Sequence, residues 1–552
     1  MSSDPASISR RSFVAGSAAV LAGLSLSGCG FKKETSTGAD DIVMNYFITN
    51  PPAIDPYNIQ DVTGAIVGRQ LFDTLMYYDF HKNELVGLAA DPDNPYDENE
   101  DATEFTFHVL KGRTFHNGEP VTAHSFKRAW ERVCNPKTGD SPSVVSYYFD
   151  CVSGYDDMIN NKANELVGVT CLDDYTLKVK LSKPYADFPY ITSLLPSAPV
   201  PQVALDDFKK YFIAPIGNGS FRMNGSWEDG QYINISRYEG YKGKKPSLAG
   251  INFGIQKDVE TGYQEFKAGN YDICEVPRAI IKDCGIEYGL AKDGYTITPH
   301  HQLALGDEPS IYYLVFNMND KTLKDPDIRH AMSLAVNRQS ICDTLFAGTR
   351  EPADNVVPTT IKGYKKGIWP YARFDRDQAN AILDRKYPRG KNGMRDIDVE
   401  LMYNLDGDHK DTMMACISDF NAIGINVTSK TGEWVSISSD MNAGNFEMGR
   451  GGWVASFPAI DNFLYPLFYT GTGDNSGRYS NHEVDRLLDE ARSIVDDQAR
   501  IDKYNQANAI IGEDCPIIPL MSYKHDYVGS ARCEMVYLNP MVDSRANEWK
   551  LS

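Results

Sequence analysis

The chain has 552 residues, 42% apolar and 24% charged, an ordinary globular composition too long for one small core, so two or three lobes are expected. Its formal charge is −20, and removing residues 1–28, which carry Arg10, Arg11 and Asp4, leaves −21. Such a surface repels phosphate and excludes nucleic acid as a partner, and the excess acid reads as solubility rather than as a site for a basic substrate.

Residues 7–29, SISRRSFVAGSAAVLAGLSLSGC, hold the pair Arg10 and Arg11, then a small and apolar run from Ala15 to Leu26. The run is shorter than the roughly 20 residues needed to cross a bilayer core, so residues 1–28 read as a cleaved export signal. SRRSF followed by Val14 resembles the twin-arginine signal. LSGC resembles the lipoprotein box, whose cysteine, here Cys29, becomes the acylated first residue. The protein is therefore expected on the outer face of the cytoplasmic membrane, held by lipid. Residues 29–41 form a polar tether with a reach of roughly 40 Å. No later stretch is apolar enough to span a membrane. Nine further cysteines, an odd number without a CxxC pair, argue against a zinc ribbon or a dithiol redox site. Twin-arginine export carries folded protein out of a reducing compartment, so any disulfides would be accessories.

Downstream, strands and helices intermingle without repeats. Glu104–Leu110 alternates Phe105, Phe107 and Val109 on one face, and Thr176–Leu181 alternates Leu177, Val179 and Leu181, so both read as half-buried strands. Between them Phe126, Ala129, Trp130 and Val133 form a helical stripe. Asp325 before Pro326 caps a helix carrying Ile328, Ala331, Met332 and Ala335. Asp375 opens another, and SNHE, Ser480–Glu483, reads as a capping box led by Ser480. The runs PSAPVP (196–201) and GDEPS (306–310) are candidate lobe crossings, the second leading into a buried strand, Tyr312–Asn319. The pattern is α/β.

Catalytic constellations are missing: no HExxH, GxSxG, P-loop or GxGxxG occurs, and GNGS, Gly217–Ser220, reads as a turn. The histidines follow no ligand spacing, so neither a metal nor a cofactor is expected. In RGGWVASFPAIDNF, residues 450–463, two glycines let the backbone approach a neighbour closely, with Trp453 and Phe457 following. A buried turn and a ligand contact both fit that segment.

Five landmarks, in order, resemble the extracytoplasmic peptide-binding proteins of ABC importers, the oligopeptide and dipeptide group (family 5) that also includes some nickel binders. They are IDPYNIQD (54–61), EFTFHVLKGRTFHNGEPVTAHSFKRAW (104–130), PIGNGSFRM (215–223), FNMNDKTLKDPDIRHAMSLAVNR (316–338) and GGWVASFPAIDNFL (451–464). The resemblance covers about 45–543. It implies a two-lobed, class II periplasmic-binding-protein-like fold with an extra α/β domain inserted in the first lobe. Lobe I would take 42–81, 199–305 and 520–552, the insert 82–198, and lobe II 306–519. It also implies a monomer that performs no chemistry. Such a protein closes its lobes over a peptide and delivers it to ABC permease subunits.

In that family the peptide pairs through its main chain, which here implies contacts at Gln60, Asp61 and Val62 on one lobe and at Gly452, Trp453 and Val454 on the other. Arg450 is placed for a terminal carboxylate, or for a structural ion pair, and Tyr312, Tyr313 and Asn317 are candidate groove lining. The family commonly has an aspartate three residues after the tryptophan, pairing with the peptide's amino group; this chain has Ser456. Either Asp61 or Asp461 substitutes, or the ligand presents no free amine there. Rival readings are the same fold holding a non-peptide solute such as an oligosaccharide or metal chelate, a peptide sensor, and a secreted hydrolase, which lacks a nucleophile with its base.

Overall fold

The structure is a computed structural model that describes residues 42–405 and 409–552. The expected export signal, the Cys29 lipid site and the tether through residue 41 lie outside the described residues. Two large sheets organise the chain. The first has seven strands in the order Leu303–Asp307, Lys524–Gly529, Ile273–Glu275, Val43–Ile48, Gly250–Ile255, Tyr232–Arg237 and Phe221–Met223. Its centre is a parallel pair, Val43–Ile48 against Gly250–Ile255, in continuous register from Val43↔Gly250 to Ile48↔Ile255. The second has five strands in the order Asn426–Gly432, Asp398–Asn404, Met448–Val454, Ser310–Phe316 and Ile517–Met521. Ser310–Phe316 is buried at every position, which is why Ile311–Phe316 reads in sequence as apolar; the strand starts two residues before the expected Tyr312 and ends at Phe316 rather than Asn319. The fold is two-lobed α/β with an extra α/β domain inserted in the first lobe. Among the described residues no helix is long and apolar enough to cross a membrane.

The inserted domain holds a four-stranded sheet in the order Tyr96–Glu98, Glu104–His108, Thr176–Lys180 and Val169–Asp173. Phe105, Phe107, Leu177 and Val179 are fully buried beneath helix Ala123–Cys134, which contributes Phe126, Ala129, Trp130 and Val133. Alternation and helical spacing thus produced the elements they predict. Asp325 caps Pro326–Ala335 by accepting from the Asp327 amide at 3.1 Å, and Asp375 caps Arg376–Asp384 by accepting from Gln378 at 2.9 Å. One cap differs. Helix His482–Arg492 is capped by Asn481, whose amide oxygen accepts from Glu483 at 3.0 Å, while Ser480 receives a bond from Thr470 instead. The GNGS turn packs against the first lobe: the Gly219 amide donates to Leu71 at 2.8 Å, and a Cβ on Gly217 would lie 1.9 Å from the Leu71 oxygen.

Two crossings of two residues join the large sheets, Glu308–Pro309 outward and Ser522–Tyr523 on the return. They are tied together. The Glu308 amide donates to the Tyr523 carbonyl at 3.0 Å, and the Tyr523 amide donates to Ser310 Oγ at 2.9 Å. Arg350 adds a bond from Nη1 to the Ser522 carbonyl at 3.2 Å, with its guanidinium 5.3 Å from the Tyr523 ring centre.

Buried charges fasten the insert on both sides. Towards the first lobe, Arg132 forks onto Asp55 at 2.8 and 2.6 Å, with both side chains at most 1% exposed, among the rings of Tyr57, Phe208 and Tyr211. Towards the second lobe, Asp187 pairs with Arg500 at 2.9 Å and accepts from the Tyr504 hydroxyl, which is shared with Asp461. The nine described cysteines are all free thiols.

Removing one partner of a buried ion pair leaves the other charged and dry, so Arg132→Ala is expected to cost about 3–5 kcal/mol in urea unfolding. With no disulfide among the described residues, adding dithiothreitol should leave the melting temperature of the wild type unchanged.

Candidate ligand-binding site

A cavity of about 440 Å³ opens where the first lobe, the insert and the second lobe meet. Its first-lobe wall is the segment leading into helix Val62–Leu71, with Gln60, Asp61 and Val62, together with Pro540–Asp543. The second lobe supplies Val454, Ala455 and Ser456, the insert supplies Tyr148, and Arg69, Leu194–Pro196 and the crossing residues Glu308 and Pro309 also line it. Val62 and Val454 are 46% and 51% exposed, leaving apolar surface on both walls. Asp61 is fixed as the helix cap: Oδ1 accepts from the Gly64 amide at 2.8 Å, while Oδ2 is closed off from solvent with no partner among the described residues. Burial raises its pKa, against the pull of the Gly64 amide. A side chain on Gly64 would meet the Ala53 oxygen at 2.4 Å, so the glycine permits this tight start.

Strand Met448–Val454 has an asymmetric environment. One edge pairs along its whole length with Ser310–Phe316, from Met448↔Phe316 to Val454↔Ser310. Its other edge pairs with Asp398–Asn404 only at Met448 and Gly449. From Arg450 to Val454 no described strand is registered on that second edge, and at its end Val454 lines the cavity. Gly451 and Gly452 do not make room for ligand on their Cβ sides. A Cβ at Gly451 would lie 2.4 Å from the Tyr313 ring, and one at Gly452 would lie 2.6 Å from the Tyr523 hydroxyl.

The remaining sequence candidates lie outside the cavity lining. Tyr313 packs beneath Gly451, and Tyr312 is 2% exposed with its hydroxyl 3.0 Å from His409 Nδ1. The Asn317 side chain donates to the Gly444 and Phe446 carbonyls, a purely internal role. Asp461 is 1% exposed, gripped by Arg492 at 2.9 and 2.8 Å and by the Tyr504 hydroxyl at 3.1 Å, so its charge is spent inside the protein. Trp453 is partly buried, and its indole N–H has no partner among the described residues.

Arg450 lies further along the same strand. Its guanidinium sits 4.8 Å from the Tyr312 ring centre and 5.6 Å from that of Trp434. Nη2 donates to the Tyr523 hydroxyl at 3.1 Å and Nη1 to Asn404 at 3.4 Å, while Nε is unpartnered and no carboxylate pairs with it among the described residues. Among the described residues it is held by aromatic faces and neutral groups.

Ser456 is engaged across domains: its Oγ accepts from the Tyr148 hydroxyl at 3.1 Å, and its amide donates to Asn462 at 3.0 Å. Sequence reasoning missed Tyr148, Glu308 and the Arg69–Asp543 pair, closed at 2.7 Å. The only sequence signal for Glu308 was its place in the GDEPS crossing. Burial, opposed by Arg350, pushes its carboxyl up to about 7. Among the described residues no group of histidine, cysteine and carboxylate side chains is arranged to hold a metal ion.

Residues 87–475 match the family model for bacterial extracellular solute-binding proteins, family 5 middle. The chain is 26% identical over 525 residues to the oligopeptide-binding protein OppA of Bacillus subtilis, covering 92% of this chain and 93% of that protein. It is 27% identical over 485 residues to the probable deoxycholate-binding periplasmic protein YgiS of Escherichia coli, covering 86% of each. Among solved structures, the unliganded open form of the periplasmic murein tripeptide-binding protein MppA aligns with a TM-score of 0.80 at 22% identity, over 93% of this chain and 98% of that one.

The Gly451 contact is testable by stability. Gly451→Ala drives a methyl group into the Tyr313 ring and is expected to cost about 1–3 kcal/mol in chemical unfolding, as overpacking does elsewhere.

Proposed function

The chain belongs to the bacterial extracellular solute-binding proteins of family 5, and from that premise we propose that it captures peptides outside the cytoplasmic membrane for an ABC importer. The observation that carries this reading is the open edge of Arg450–Val454 beside a cavity shared by both lobes. An extended peptide added there would satisfy its own amides and carbonyls with protein main chain, so affinity would not depend on its side chains. Arg450, charged and without a carboxylate partner among the described residues, is suited to a peptide's terminal carboxylate.

Ligand contact with both walls would draw lobe II, whose five-stranded sheet begins at Ser310 and ends at Met521 rather than at the expected bounds 306 and 519, against lobe I by bending at Glu308–Pro309 and Ser522–Tyr523. Acylation of Cys29 would hold the monomer at the outer face of the membrane, within reach of the permease. No step of this cycle makes or breaks a covalent bond of the ligand.

A second reading, the same fold holding a non-peptide solute, is favoured by one observation. Position 456 offers a neutral hydroxyl already engaged by Tyr148, in the same cavity as the exposed valines Val62 and Val454. The name of YgiS associates a relative of similar identity with deoxycholate. Native mass spectrometry of the purified protein, followed by denaturation and identification of what it releases, separates the two. A ladder of short peptides is the expected outcome, and a single non-peptide species would overturn the peptide reading.

A further inference from the structure

The charges around the cavity do not balance. Asp61, Glu308 and Asp543 line it against one cation, Arg69, and that cation is already taken by Asp543 at 2.7 Å. Asp61 spends one oxygen on the Gly64 amide and has the other closed off from solvent. Glu308 is different. Its backbone is fixed at the crossing by the bonds to Tyr523 and Ser310, while no hydrogen bond or ion pair within 4 Å holds its carboxylate among the described residues.

The charged groups around it come from several elements. Glu275 of strand Ile273–Glu275 and Asp526 of strand Lys524–Gly529 add two carboxyls, Arg350 and Arg278 supply two guanidinium groups, and the electrostatics of all five are coupled. The three carboxyls are each raised above their ordinary values, with burial the largest cause. Ser456, in the same cavity, offers no charge, and its oxygen already accepts from Tyr148.

We propose that Glu308 supplies the counter-charge for a ligand ammonium group in this cleft, doing from the lobe crossing what residue 456 does not. The inference rests on the peptide reading only for the identity of the amine, and it makes Glu308 a determinant of specificity for ligands with a free amino group. Ligand charge would then be read at a residue whose amide ties the two crossings together. With the carboxyl near 7, protonation removes the counter-charge, so affinity for an ammonium ligand falls as pH drops below neutrality, towards about tenfold per unit.

Titration calorimetry with trialanine, N-acetyl-trialanine and spermidine tests this on the purified wild type, Glu308→Gln and Glu308→Asp. The wild type is expected to prefer trialanine over its acetylated form by at least about tenfold. Glu308→Gln should erase that preference and its pH slope while keeping the affinity for N-acetyl-trialanine, which also reports that the variant is folded; Glu308→Asp should restore part of it. A Glu308→Gln protein that retains the preference overturns the proposal, as does a wild type that binds both peptides equally. Spermidine binding that depends on Glu308, without binding of either peptide, would sink the peptide reading and leave the proposal standing. Binding of none of the three would overturn both.

Discussion

The hydrogen bond from the Glu308 amide to the Tyr523 carbonyl holds side by side the two short crossings that carry the main chain between the large sheets. Each crossing is only two residues long, so neither can wander, and their pairing allows the second sheet to bend against the first with little freedom to slide. The position of Val454 and Ser456 relative to Gln60 and Asp61 follows from that constraint. The Ala455 amide reinforces it by donating to the Pro309 carbonyl at 2.8 Å, fixing the end of the open-edged strand to the outward crossing.

The inserted domain adds a second constraint. Asp55 with Arg132 on one side, and Asp187 with Arg500 and Tyr504 on the other, are buried polar contacts whose groups lose heavily if they separate without water. The insert is thus a strut touching both lobes, and Tyr148 carries it to the cavity, where its hydroxyl meets Ser456. A chain with this geometry cannot open like a simple jaw about the crossings without either breaking the Asp187 network or carrying the insert along with the second lobe.

The fold was legible wherever local pattern and tertiary role coincide. Phe105 and Phe107 alternate because one face of their strand is buried, and Asp325 precedes Pro326 because a helix begins there. Asn481 took the cap from Ser480 because the choice between two adjacent capping residues depends on where the chain turns, which neighbours such as Thr470 decide. The GDEPS run was visible as a crossing, but its glutamate drew no attention, since its neighbours Arg350 and Asp526 lie 42 and 218 residues away. Asp461 looked available because its partners, Arg492 and Tyr504, come from later helices. Tyr313 gives no sign in sequence that it fills the space left by Gly451, 138 residues on. Site chemistry of this kind depends on pairs distant in sequence, which no local periodicity encodes.

The open edge of Arg450–Val454 carries a cost. A run of amides and carbonyls with no strand registered on it among the described residues can accept an extended chain, including a strand from an unfolding neighbour, so an edge suited to a peptide is also a seed for self-association. A net charge of −20 opposes that by keeping molecules apart, and cargo bound as proposed would oppose it by occupying the edge. If the proposed function holds, colloidal behaviour and occupancy would be linked: the empty protein would be the adhesive one, and a well-fed cell would hold it in the less sticky state.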